Sequence, residues 1–128
     1  MILGFLRLIK YFIIIFISLT LNAEPILGES VEIQVLDKIT AKVKTLKINV
    51  NESLKFETIN IEIYACYTNP PEEIPEDFVL LKIYDDINLE LNKLIYQGWM
   101  ISSSPSATPL EHPIYDLWLN SCKVKIDF

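Results

Sequence analysis

The sequence has few of the side chains on which enzymes and metal sites usually depend. It contains one histidine, two cysteines and three glycines in 128 residues. It also lacks the Gly-x-Ser-x-Gly motif that presents the nucleophile in α/β-hydrolases. If the two cysteines pair with each other, only carboxylates remain beside the single histidine as metal ligands. We therefore expect no metal site and no cofactor.

Basic residues are scarce as well. The chain has 11 lysines and arginines against 17 acidic residues, and its formal net charge is −6. Every acidic residue follows residue 23, whereas Arg7 and Lys10 precede it, so the rest of the chain is more acidic still. Such a chain is poorly suited to bind phosphate groups. We predict no nucleic-acid partner and no attraction to an anionic membrane surface.

Long helical patterns are missing after the first residues. Apolar and polar residues alternate instead, most clearly over Ile59–Ala65, which is typical of half-buried strands. Several short strands separated by turn residues predict an all-β fold, a small antiparallel β-sandwich or barrel, in one domain over residues 24–128. The exception is one short helical turn near residues 105–112, with Thr108 as its N-cap or Ser104 as an alternative start.

The N-terminus has the pattern of a secretory signal peptide. Arg7 and Lys10 precede an uncharged apolar run, Tyr11–Leu21, and the small residue Ala23 follows it. The run is shorter than the roughly 20 apolar residues of a membrane span. We predict a signal peptide over residues 1–23, cleavage after Ala23 and a periplasmic or secreted protein. In the alternative, an uncleaved segment holds the protein at the inner membrane.

The two cysteines are Cys66 and Cys122. An even number of cysteines in an exported chain favours a disulfide between them. The alternative is two separate buried thiols.

The stretch Gly98–Cys122 concentrates the rare side chains: both tryptophans, the histidine and one cysteine. A serine-type hydrolase would use Ser103 as its nucleophile, His112 as the base and Asp116 to orient the histidine. However, the serines lie in a proline-bearing loop with no evident oxyanion hole. We therefore assign no catalytic residue.

A structural role for these residues needs fewer assumptions. Strict alternation after Ile114 places Asp116 on the same strand face as Trp118 and Cys122. If that face points inward, the Asp116 carboxylate needs a partner, because an unpaired buried charge is strongly unfavourable. We predict that Asp116 and His112 fasten the loop of residues 102–113 to the sheet. That loop offers serine hydroxyls as further partners, among them Ser103 and Ser104.

The aromatic residues suggest a third interpretation. Trp99, Tyr115 and Trp118 would form a patch beside the loop, suited to a partner protein or a glycan. In the alternative, both indoles are packed in the core. A predicted edge strand, Val31–Val35, is a second route to a partner, by strand addition.

Several segments of the chain resemble the DUF 2155 family, a bacterial family of small exported proteins classed as a domain of unknown function. These segments are Val35–Ala41, Ala65–Tyr67, Pro70–Glu72, Pro75–Glu76, Gly98–Met100, Ser103–Pro105, Leu110–Pro113, Tyr115–Asp116 and Trp118–Cys122. The resemblance covers nearly all of the chain after the leader, although Asp85–Lys93 departs from it. It implies export, a single domain and a paired Cys66 and Cys122. It implies no activity, ligand, cofactor or catalytic residue.

Together these observations predict an exported binding or envelope-accessory module in preference to an enzyme. Two alternatives remain open: the hydrolase with Ser103, His112 and Asp116, and a purely structural envelope protein. The expected partner is a protein or another envelope component. A membrane is involved only if the N-terminal segment stays uncleaved.

Overall fold

The computed structural model describes residues 1–17, 23–87 and 90–125. These ranges contain one helix and eight strands. The elements are α1 (Ile2–Ile17), β1 (Ile26–Leu27), β2 (Ser30–Asp37), β3 (Lys42–Asn49), β4 (Ser53–Phe56), β5 (Ile59–Thr68), β6 (Asp77–Ile87), β7 (Glu90–Ile101) and β8 (Tyr115–Lys123).

The strands form two antiparallel sheets. One has five strands in the order β1-β5-β6-β7, with β4 also paired to β5, and the other has three in the order β3-β2-β8. The two sheets pack face to face and do not close into a barrel. This arrangement confirms the predicted all-β sandwich.

The core lies between the sheets and consists of the residues that the alternating pattern places on their inner faces. Three of the strands each contribute a row of fully buried aliphatic side chains: Val31, Ile33 and Val35 from β2, Ile59, Ile61 and Ile63 from β5, and Val79, Leu81 and Ile83 from β6. Burial of one such side chain stabilises the fold by about 1.5–3 kcal/mol. The core therefore holds β6, on which the polar site described below depends, in a rigid position.

Strand β2 is the central strand of its sheet, so the prediction that Val31–Val35 forms an edge is wrong. It pairs with β3 on one side, through the hairpin that follows it, and with β8 on the other. The second pairing joins segments that are far apart in the sequence, and local alternation carries no information about it.

A β-bulge in β8 changes which residues of that strand point inward. Ile33 pairs with Leu119 and Glu32 pairs with Ser121, so Asn120 is an extra residue between them. Tyr115, Leu117, Leu119 and Cys122 are consequently all buried, whereas Trp118 and Asp116 lie on the outer face and are partly exposed. The prediction of one shared face for Asp116, Trp118 and Cys122 is therefore wrong.

A disulfide between Cys66 and Cys122 joins β5 to β8 and so connects the two sheets, with 5.9 Å between the Cα atoms. Gly28 covers the bond. A Cβ atom at this position would overlap the sulfurs of both cysteines. The backbone N–H of Gly28 donates to the Cys66 carbonyl at 2.9 Å, which holds the segment after β1 in place.

Helix α1 covers most of the predicted signal peptide. Every side chain from Met1 to Phe16 is exposed, although most of them are apolar. Within the described ranges, no helix has both the length and the apolar character needed to cross a membrane. Residues 18–22, which include part of the predicted cleavage region, lie outside the described residues.

Candidate functional site

The loop of residues 102–114, hereafter the 102–114 loop, leaves β7 and returns as β8. Its first residues are fastened by Glu76, which precedes β6. One Glu76 carboxylate oxygen accepts hydrogen bonds from Ser102 Oγ and the Ser103 N–H, both at 2.9 Å, and the other accepts from Ser103 Oγ. Burial alone would raise the pKa of Glu76, but these hydrogen bonds outweigh it and hold the pKa below its usual value.

The predicted turn inside the loop is a single hydrogen-bonded turn. The Ala107 N–H donates to the Ser104 carbonyl at 3.0 Å, so the turn begins at Ser104, the alternative start. Thr108 acts differently, since its hydroxyl donates to the Trp99 carbonyl at 3.0 Å. The middle of the loop is thereby fastened to β7.

His112 is the polar centre of the site and is 6% exposed. Its Nδ1 accepts hydrogen bonds from the backbone N–H groups of Ile114 at 3.0 Å and Tyr115 at 3.1 Å. Because Nδ1 accepts both bonds, the proton of the neutral ring lies on Nε2. Nε2 therefore donates to the carboxylate of Asp85 on β6. The 102–114 loop is thus attached through its histidine to β6 of the five-stranded sheet.

Asp85 is a residue that the sequence reasoning missed. It is 1% exposed, and its second carboxylate oxygen has no hydrogen-bond partner among the described residues. A signal for it does exist, because Asp85 continues the inward frame of Val79, Leu81 and Ile83. A carboxylate at an inward position of a strand requires a buried partner, and His112 supplies it.

Asp116 does not bond to the His112 ring. It lies on the outer face of β8 and pairs with Lys38 Nζ at 3.0 Å. Lys38 Nζ also donates to the backbone carbonyl of His112 at 2.8 Å. The end of the loop is therefore fastened by Asp85 on the inside and by Lys38 on the outside, and among the described residues Asp116 pairs with Lys38.

These contacts do not assemble the hydrolase triad. Ser103 bonds to Glu76, and Asp116 bonds to Lys38. Both ring nitrogens of His112 are occupied, one by Asp85 and the other by two backbone N–H groups. The described residues also contain no group of three or more His, Cys, Asp or Glu side chains that could hold a metal ion.

The three aromatic residues predicted to form one patch lie in three separate places. Tyr115 is in the core, where its ring packs edge-on against Phe56. Trp118 lies on the outer face of the three-stranded sheet, and its Nε1–H donates to the Gln34 side chain at 2.9 Å. Trp99 lies on the outer face of the five-stranded sheet and is 43% exposed.

Trp99 belongs to a different apolar surface, hereafter the Trp99 surface. Its members are Pro25, Leu27, Tyr67, Phe78, Leu80 and Trp99. Cross-strand pairing makes the surface continuous, because Leu27 faces Tyr67, Tyr67 faces Phe78, and Leu80 faces Trp99. The rings of Tyr67 and Trp99 lie 5.9 Å apart, and a depression of about 240 Å³ opens between Pro25, Tyr67, Phe78 and Trp99. Leu27 is 61% exposed beside it.

Comparison with known proteins identifies the family. Residues 31–122 match the model of DUF2155, which is described as an uncharacterised protein conserved in bacteria. The chain belongs to the DUF2155 family. A curated relative, an uncharacterised protein of Rickettsia prowazekii (strain Madrid E), is 33% identical over 87 residues. The match covers 68% of this chain and 56% of the relative, so the chain spans little more than half of that protein. No solved structure matches.

The part of this DUF2155 chain that matches the family model contains the disulfide, His112, Asp85 and Lys38. It also contains the β5, β6 and β7 residues of the Trp99 surface. Pro25 and Leu27, which complete that surface, precede the matched part. The buried polar contacts therefore belong to the family domain, and the segment before it adds the border of the apolar surface.

Proposed function

We propose that this DUF2155 chain is an exported binding module that holds a protein of the cell envelope against its Trp99 surface. The observation that carries the proposal is the continuous apolar and aromatic surface on the outer face of the five-stranded sheet. Single exposed apolar residues are common on proteins, whereas a contiguous apolar patch is typical of a binding site.

The composition of the Trp99 surface suits a protein partner. Tryptophan and tyrosine provide most of the binding energy at many interfaces, because they bury a large area and lose little conformational entropy. Here Trp99 and Tyr67 stand on strands of a packed sheet, and the disulfide at Cys66 adjoins Tyr67. The surface is therefore rigid before binding, which reduces the entropic cost of association.

Export is the second part of the proposal. Its support is the basic and apolar pattern of residues 1–23 together with the disulfide, which is typical of proteins in oxidising compartments. Intact-mass measurement of the protein from cells tests it. We expect a chain that begins at Glu24, and a chain that still begins at Met1 would contradict cleavage and favour an uncleaved N-terminal segment.

Two variants separate binding from a purely structural role. Trp99→Ser removes the largest side chain of the Trp99 surface. Val43→Ser is a matched control, because Val43 is 53% exposed on the outer face of the three-stranded sheet. Both tagged variants are expressed in the native cell, cross-linked in the envelope and purified. We expect Trp99→Ser to lose at least about nine-tenths of a partner that Val43→Ser retains, which corresponds to more than about 1.4 kcal/mol.

Equal recovery of every partner with both variants would contradict the proposal and favour the structural envelope role. The unfolding curves of the two variants provide the necessary control. We expect both variants to keep a cooperative unfolding transition, with the larger loss of free energy for Trp99→Ser, because the Trp99 ring packs against Tyr67.

A further inference from the structure

The charges around the Trp99 surface indicate the chemistry of its partner. We infer that the partner presents an apolar side chain flanked by lysine or arginine residues. This inference rests on the proposed binding function and adds the partner's class to it. Its two elements are the apolar centre already described and a set of acidic residues at the same end of the sandwich.

The acidic residues, hereafter the acidic rim, are Glu24, Glu72 and Glu73. Glu24 is next to Pro25, which forms one wall of the depression. Glu72 and Glu73 lie in the loop of residues 69–76, which connects the end of the strand carrying Tyr67 to the start of the strand carrying Phe78. All three side chains are exposed. The acidic rim therefore lies at the end of the sheet where Pro25, Tyr67 and Phe78 form the apolar centre.

The loop that carries Glu72 and Glu73 is held in a defined shape. The Asn69 side-chain amide donates to the Ile74 carbonyl at 2.9 Å, and the Glu73 N–H donates to the Pro70 carbonyl at 3.0 Å. At its far end the loop is held by Glu76, which accepts hydrogen bonds from Ser102 and Ser103.

The acidic rim has not been neutralised by the protein itself. Glu76 is occupied by serines, but within residues 23–87 and 90–125 the carboxylates of Glu72 and Glu73 take part in no hydrogen bond or ion pair. Ile74, in the same loop, is 84% exposed and adds an apolar side chain beside these carboxylates. An apolar centre with a negative border complements an apolar group with a positive border.

A basic residue marks the other border of the Trp99 surface. Lys82 follows Leu80 on the outer face of β6, and its ammonium lies over the ring of Tyr64, 5.2 Å from the centroid. Glu62 faces Lys82 across the strands. This side is therefore balanced in charge, so the net attraction for a basic partner comes from the acidic rim.

Two synthetic peptides test the inference. Both contain the core Leu-Phe-Leu; one carries two lysines on each side and the other two glutamates on each side. Binding to the mature protein is measured by fluorescence anisotropy at 50 mM and 500 mM NaCl. We expect the lysine peptide to bind at least about 10-fold more tightly than the glutamate peptide at low salt, and the difference to shrink at high salt.

Variants test whether the acidic rim and the Trp99 surface cause the preference for the lysine peptide. Glu72→Gln combined with Glu73→Gln should weaken the lysine peptide about three- to tenfold, whereas Glu111→Gln, an exposed acid in a different loop, should leave it unchanged. Trp99→Ser should weaken both peptides. Equal affinity of the two peptides would overturn the inference about charge and leave the proposed binding function standing.

The other possible results distinguish failure of the inference about a basic partner from failure of the proposed binding function. If the lysine peptide binds Trp99→Ser as tightly as the unmodified protein, its attraction is non-specific and the inference fails. If neither peptide binds while partner recovery from the envelope still depends on Trp99, the surface recognises something other than a basic apolar segment. If partner recovery is also independent of Trp99, the proposed function itself fails.

Discussion

The buried pair of His112 and Asp85 fixes the end of the 102–114 loop and the start of β8. The pair is almost completely buried, and Asp85 has one hydrogen-bond partner for two carboxylate oxygens among the described residues. The histidine ring also orders the backbone of Ile114 and Tyr115 at the start of β8. The end of the 102–114 loop and the beginning of β8 therefore depend on one side chain.

Replacement of His112 by alanine should lower the free energy of unfolding by about 3–5 kcal/mol, because it leaves Asp85 charged and unpaired in the core. Urea unfolding measures this loss. Glu111→Ala, a neighbouring exposed position, should change the value by less than about 0.5 kcal/mol. The double variant Asp85→Leu/His112→Leu should lose less free energy of unfolding than Asp85→Leu and His112→Leu lose in sum when each is measured alone. Strict additivity would show that the pair does not interact.

Gly28 is a second position where one residue type is required. Because its Cβ would meet the sulfurs of Cys66 and Cys122, Gly28→Ala must displace the segment after β1 or the disulfide. We expect a loss of about 1–3 kcal/mol in urea unfolding. In a background with both cysteines changed to alanine, the sulfurs are absent and the same substitution should cost much less. An equal cost in both backgrounds would contradict the packing explanation.

Loops 69–76 and 102–114 act as one unit, because Glu76 of the first fastens Ser102 and Ser103 of the second. This contact is electrostatic, so it depends on pH. The pKa of Glu76 in the fold is lower than in the unfolded chain. The stabilising contribution of Glu76 to the free energy of unfolding is therefore fully present above its unfolded pKa. This contribution is lost as the pH falls through the folded pKa.

Glu76→Gln tests this dependence. At pH 7 the variant should be less stable than the unmodified protein by about 1–2 kcal/mol, because hydrogen bonds to a charged group are lost. Urea unfolding between pH 7 and pH 3 should show this difference shrinking toward the acid end. Glu73→Gln in the same loop is the control and should show little difference throughout. A difference for Glu76→Gln that stays constant or grows in acid would be incompatible with the contact.

The elements differ in how far the sequence predicts them. In β5 an irregularity between Ile63 and Ala65 shifts Cys66 onto the inner face, so alternation fails there. The inner faces of β2, of β6 and of Ile59–Ile63 in β5 follow from alternation. Strand β8 does not, because the bulge at Asn120 shifts Cys122 onto the inner face. The partner of His112 was missed for a related reason: Asp85 is 27 residues away in sequence and reaches the histidine only through packing between the sheets.

At the scale of the whole molecule, the disulfide is the covalent link between the two sheets. Cys66 and Cys122 are separated by 56 residues, and closing a loop of that size restricts the unfolded chain. Cys66→Ser combined with Cys122→Ser should therefore lower the free energy of unfolding by about 4 kcal/mol, as measured by urea or thermal unfolding. A loss below about 1 kcal/mol would mean that the core alone holds the sheets together.

The two outer faces of the sandwich also differ at this scale. The face of the five-stranded sheet carries the Trp99 surface and adjoins the acidic rim, whereas on the other face Trp118 is already bonded to Gln34. Of the two interpretations of the sequence, one placed both tryptophans in one patch and the other packed both in the core. Only the pairing of distant strands reveals that Trp99 instead shares a surface with Tyr67, Phe78 and the segment before β2.

Site-specific photo-cross-linking in living cells measures whether the Trp99 surface contacts a protein of the envelope. An aromatic photo-reactive amino acid is placed at position 99, at position 27 and, as the control, at position 43 on the opposite face. We expect one discrete protein adduct from positions 99 and 27 and none from position 43. No adduct at 99 and 27, or the same adducts from all three positions, would contradict a binding role for the Trp99 surface.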